Sequence, residues 1–119
     1  MGRYYSGDIE GKFWFAVQSS TAADRFGVEG YQPDFIEYRF DSEDLPTVLE
    51  EIGEIEHTLG DNKQKIEDFF KENNGYNYTM LGKAGITASM LSEYADLLLG
   101  YKIRDSIIEK GKCYFEAEL

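Results

Sequence analysis

Residues 88–110 read as one uninterrupted helix, and the rest of the chain has to be built around it. Thr87 offers a capping hydroxyl before Ala88, and Gly111 is the residue type that closes a helix in the left-handed region. Between them, Leu91, Tyr94, Ala95, Leu98, Leu99, Ile103 and Ile107 recur at helical spacing and cover more than one face.

Three stretches alternate with a period of two, the signature of half-buried strands. Residues 8–18 place Ile9, Gly11, Phe13, Phe15 and Val17 on one face and Glu10, Lys12, Trp14, Ala16 and Gln18 on the other. The same region also admits a hairpin in which residues 3–5 pair back through a loop at 6–11. On either reading Phe13, Phe15 and Val17 are predicted core, while Trp14 is expected to be covered by a helix or a second subunit. Residues 35–41 set Ile36, Tyr38 and Phe40 against Phe35, Glu37, Arg39 and Asp41. Residues 112–119 set Cys113, Phe115, Ala117 and Leu119 against Tyr114, Glu116 and Glu118.

The intervening segments predict helices. Ser19-Ser20-Thr21 offers caps for a short one at 22–26, which Gly27 can end. Ser42-Glu43-Asp44 opens a stronger one, with acids where the helix dipole favours them. Its stripe is Leu45, Val48, Leu49, Ile52, Ile55 and Leu59. Gly60 breaks it, Asp61 caps a second helix carrying Ile66, Phe69 and Phe70, and Asn74-Gly75 ends that one. Residues 76–86, polar and glycine-containing, read as a loop. The predicted fold is a single α+β domain over residues 1–119. A small, mainly antiparallel sheet of about three strands packs against three helices, and the long C-terminal helix is followed by a final strand.

Charge narrows the partners. Residues 41–72 hold eleven acids against three lysines, a balance of −8 out of the chain's −11. Such a surface repels nucleic acid and anionic membranes and attracts basic proteins. No apolar run approaches the ~18 residues of a membrane span, and the first residues lack the apolar segment of a secretory signal. With Cys113 as the single cysteine, a reducing cytoplasm is the expected location.

Catalytic hardware is sparse. Glu54 and His57 have the i, i+3 spacing of carboxylate metal sites, but His57 is the only histidine, so no metal site and no cofactor is expected. Cys113 falls on an inward strand face, where a thiol behaves as a small hydrophobe. Gly82-Lys83-Ala84-Gly85 is half of a phosphate loop without its spacing. No catalytic residue is assigned, and the enzyme question leans towards no.

Two surfaces remain as candidates. One is the row formed by Glu43, Asp44, Glu50, Glu51 and Glu54, in which carboxylates one helical turn apart stand about 5–6 Å apart at Cβ. Such a row can imitate a nucleic-acid backbone. The other is the outward sheet face, where Trp14, Arg39 and Tyr114 are partner-binding candidates of the types that dominate interfaces. The alternative for that face is a small-molecule site or small enzyme, with Trp14, Tyr114 and Arg39 around a ligand and Glu37 or Glu116 as acid or base.

The stretches GRYYSGDIEGKFWFAVQSS and EYADLLLGYKIRDSIIEKGKCYFEAEL resemble small uncharacterised proteins encoded by phages and other viruses. That resemblance brings no active site. It implies a binder of host machinery in the host cytoplasm. The expectation is a non-enzymatic acidic binding protein, an inhibitor or modulator of a basic nucleic-acid-handling protein, with self-association into a homo-oligomer as a further expectation.

Overall fold

In the computed structural model, the residues described are 3–14, 17–28, 30, 36–73 and 75–118. The strands are β1 (Tyr4–Gly7), β2 (Gly11–Lys12), β3 (Ile36–Asp41) and β4 (Lys112–Ala117). The α-helices are α1 (Leu45–Leu59), α2 (Asn62–Glu72), α3 (Tyr78–Ala84) and α4 (Ala88–Lys110). Single 3-10 turns occupy Ala22–Phe26 and Ser42–Asp44. The class is α+β, and the sheet is antiparallel throughout in the order β2-β1-β4-β3.

The long helix forms as its ends dictate. Thr87 Oγ1 accepts the Met90 N–H at 3.1 Å, and Gly111 takes φ 78° while its N–H reaches Ile107 O. Between those caps Leu91, Leu97, Leu99 and Ile103 are fully buried. α4 packs on β4, on α1, on α2 and on the 3-10 turn at Ala22–Phe26, which accounts for apolar residues on more than one of its faces. The sheet turns Tyr5, Tyr38, Phe40, Cys113 and Phe115 inwards. Their rings form a strip, with Tyr38 5.1 Å and Tyr5 5.8 Å from Phe115.

The N-terminal stretch takes the hairpin rather than one long strand. Tyr4 pairs with Lys12 and Tyr5 with Gly11, so the sheet has four strands and not three. β2 ends at Lys12 because the chain then turns inwards: Phe13 is 1% exposed, and Gln18 folds back to accept the Trp14 N–H. Val17 is half-buried against the core, and Phe15 lies outside the described residues.

The expected loop at 76–86 contains α3, making four helices rather than three. Asn77 Oδ1 accepts the Met80 N–H at 2.9 Å, Gly85 closes the helix at φ 76°, and Leu81 and Ile86 anchor it in the core. Two expected caps act differently. Asp61 and Thr21 precede their helices without accepting a side-chain capping bond.

Candidate functional site

Helical geometry sorts the acidic residues of α1 into different roles. Val48, Ile52, Ile55 and Leu59 are buried against α4 and the 3-10 turn. Glu51 borders that stripe and turns inwards, where its Oε2 meets Arg25 Nε at 2.8 Å. Glu56 borders it on the other side and accepts the Tyr101 hydroxyl of α4. Glu50 and Glu54 lie on the opposite face and are exposed, as is Glu43 at the start of the segment. Among the described residues, none of these three has a side-chain hydrogen bond or ion pair. Asp44 is half-buried and fixed locally, accepting the Asp41 N–H at 2.8 Å in a capping box.

The predicted row is therefore not a uniform patch: Glu43, Glu50 and Glu54 face solvent, whereas Glu51 and Asp44 are structural. Leu49, expected in the buried stripe, is 46% exposed. At 100° per residue it falls at the margin of the buried arc, beyond Leu45, a signal already present in the sequence. Beside it Gly53 adds a bare notch, with no atom within 4 Å of where a Cβ would stand.

Beneath this face lies a polar network that locks α1 to α4. Arg25 reaches Glu51, Asp96 at 2.7 Å and Glu93 at 3.1 Å, and Asp96 Oδ1 accepts from the buried Gln18. The Glu93 contact is within ion-pair range but not aligned as a hydrogen bond, so that buried Oε2 lacks one. Burial pushes the Asp96 carboxyl above its ordinary value, against the opposing pull of Arg25 and Gln18. Burial also works against the charge on Arg25, but the bonds from Asp96 and Glu51 outweigh it and hold the guanidinium above its ordinary value.

The outer sheet face carries a shallow groove of about 380 Å³, lined by Ser6, Gly7, Glu37, Tyr38, Arg39, Tyr114, Phe115 and Glu116. Register brings Glu37 directly opposite Glu116 and Arg39 opposite Tyr114, with the guanidinium 5.6 Å from the ring centre. The Tyr114 hydroxyl donates to Asp41, which raises its pKa. Trp14 is not part of this face. The chain leaves the sheet before it, and its indole packs 5.4 Å from Phe70, 6.2 Å from Tyr76 and 6.0 Å from Tyr94. Helices α2 and α4 thus supply part of the cover expected for it. Phe35, placed on the outer face by alternation, lies outside the described residues.

Cys113 is fully buried, and burial pushes its thiol up to about 11, far from a nucleophile's range. Gly82 to Gly85 form the last turn and C-cap of α3 rather than a cradle. Among the described residues, no group of three or more His, Cys, Asp or Glu side chains is arranged to hold a metal, and no helix is long and apolar enough to cross a membrane. Comparison with protein-family models, with curated proteins and with solved structures gives no match.

Proposed function

We propose that the protein is a non-enzymatic acidic binding protein whose α1 outer face engages a basic partner. The observation that carries this reading is the combination on one helix of exposed, unpaired Glu50 and Glu54 with exposed Leu49 and the bare Gly53. Like charges one turn apart cost helix stability, and an exposed leucine beside an open notch offers an apolar contact to an amphipathic helix. Together they match a basic amphipathic segment, with Arg or Lys over the carboxylates and an apolar side chain over Gly53. In finer form, the partner is a nucleic-acid-handling protein whose basic groove accepts these carboxylates in place of phosphates, and the protein inhibits or redirects it.

Fluorescence anisotropy with a labelled Arg- and Leu-containing helical peptide tests the surface. Glu50→Gln combined with Glu54→Gln is expected to weaken binding at least tenfold, while Glu37→Gln on the sheet leaves it unchanged. Basic ligands that bind both variants equally well would remove the reading.

The sheet groove favours a second reading as a small-molecule site, with Arg39 and Tyr114 as contacts and Glu37 or Glu116 as the acid or base. It has lost Trp14 as its stacking platform and is open along its length. Stabilisation of the fold by one ligand class, abolished by Arg39→Ala, would move the assignment there.

A further inference from the structure

β3 closes the sheet on one side, and the ladder shows which of its backbone groups are left over. The Asp41 N–H points out of the sheet to Asp44 Oδ2. On β4, the backbone carbonyl of Tyr114 faces β1 and takes the Asp8 N–H at 2.7 Å. Since Arg39 stands opposite Tyr114 and Asp41 opposite Lys112, the odd-numbered residues of β3 turn their backbone groups away from β4. Asp41 is capped, and the chain leaves the sheet at Ser42. Glu37 and Arg39 therefore present N–H and C=O at the edge, and no described residue bonds to them.

We propose that this edge pairs with the same edge of a second copy, antiparallel about a two-fold axis at Tyr38. The paired copies form one continuous sheet across both.

Two free residues per strand can be matched in three ways. Glu37 against the partner's Glu37 and Arg39 against the partner's Arg39 each set like charges face to face. Glu37 against the partner's Arg39, repeated by symmetry, uses every free backbone group on both strands and sets opposite charges together twice. It also places Tyr38 against the partner's Tyr38 on the axis. Charged side chains at a sheet edge normally deter pairing. Here their order along the strand is self-complementary.

A second feature points the same way. Within one copy Glu37 stands directly across from Glu116, and among the described residues no cation lies within ion-pair range of either. Because this is a non-hydrogen-bonded pair of the antiparallel ladder, the two side chains are at their closest. The partner's Arg39 would lie on the free side of Glu37 and offset that repulsion. Ile36, Tyr38 and Phe40 are already buried within each copy, so the contact consists of backbone bonds and outer-face charges. Its area falls at the small end of specific interfaces.

Charge exchange tests this on the full chain, by sedimentation velocity at physiological ionic strength with circular dichroism to confirm folding. The native chain is expected to show a concentration-dependent dimer. Glu37→Arg alone and Arg39→Glu alone are each expected to weaken it at least tenfold. An equimolar mixture of those two variants should recover it as a heterodimer, because each then supplies the charge that the other lacks. A native chain that stays monomeric up to about 1 mM, where even millimolar affinity shows, would overturn the proposal. So would a dimer that both variants form unchanged, or a mixture that fails to recover. An edge that instead captures an extended peptide while remaining monomeric would also count against it.

Discussion

Gly100 sits in the middle of the longest helix, where glycine costs about 1 kcal/mol relative to alanine, and the reason lies across the helix interface. A Cβ there would stand 2.6 Å from the ring of Phe26 and 3.1 Å from Ile52. Phe26, the last residue of the 3-10 turn that carries Arg25, is fully buried, so its ring cannot yield by moving into solvent. Gly100→Ala is expected to lower stability by about 1–3 kcal/mol in urea denaturation, overpacking outweighing the better helix propensity. Gly53 in α1 gives the opposite sign. Its missing Cβ would meet nothing, so Gly53→Ala should stabilise by about 0.5–1 kcal/mol. If the α1 face binds a basic segment through the notch, the same substitution weakens that binding while the fold becomes firmer. Equal effects of the two alanines on stability would show that the close approach at Gly100 is not what sets its identity.

At the scale of elements, what the sequence made legible depended on how much of each signal was local. Thr87, Gly111 and the apolar spacing between them mark both ends of α4, because caps and period act within one or two turns. β3 and β4 were legible from their alternation, including Cys113 as core. α3 was not. Among its described side chains only Leu81 is fully buried, and the helix includes Gly82, so its stability comes from packing and from the Asn77 cap rather than from a periodic stripe. Asn77→Ala should therefore cost about 1 kcal/mol. Hydrogen exchange would show faster opening confined to α3 while α4 stays protected, and a uniform change across both helices would refute the local role of that cap. Helical spacing alone sets Glu51 beside the buried stripe and Glu50 and Glu54 opposite it, but the ion pair that fixes Glu51 was hidden. It depends on Arg25, which is distant in the chain and arrives through the 3-10 turn. Trp14 left the sheet face for the same kind of reason: the Phe13 N–H still bonds to Arg3 O, but the next N–H, that of Trp14, goes to Gln18, which is itself held by the distant Asp96 of α4.

For the molecule as a whole, a net charge of −11 on a body of 41 × 30 × 20 Å makes ionic strength the variable that separates its two proposed contacts. Binding of a basic segment on α1 is attraction between opposite net charges, and salt weakens it at every distance. Pairing of two copies through β3 is different. Its Glu37–Arg39 pairs act at contact, while the approach of two bodies each carrying −11 is opposed over the whole molecular length. At about 0.01 M salt the screening length is about 30 Å, comparable to the molecule itself, and at about 0.15 M it shrinks to about 8 Å. Most of the repulsion between copies then disappears, whereas the pairs in the interface, partly shielded from solvent, lose less. Raising salt from about 0.01 M to about 0.15 M is therefore expected to increase the dimer fraction in sedimentation velocity and to reduce affinity for the basic peptide in anisotropy. Two slopes of the same sign would mean that one of these surfaces does not work by the electrostatics assigned to it, and the Glu50/Glu54 and Glu37/Arg39 variants identify which.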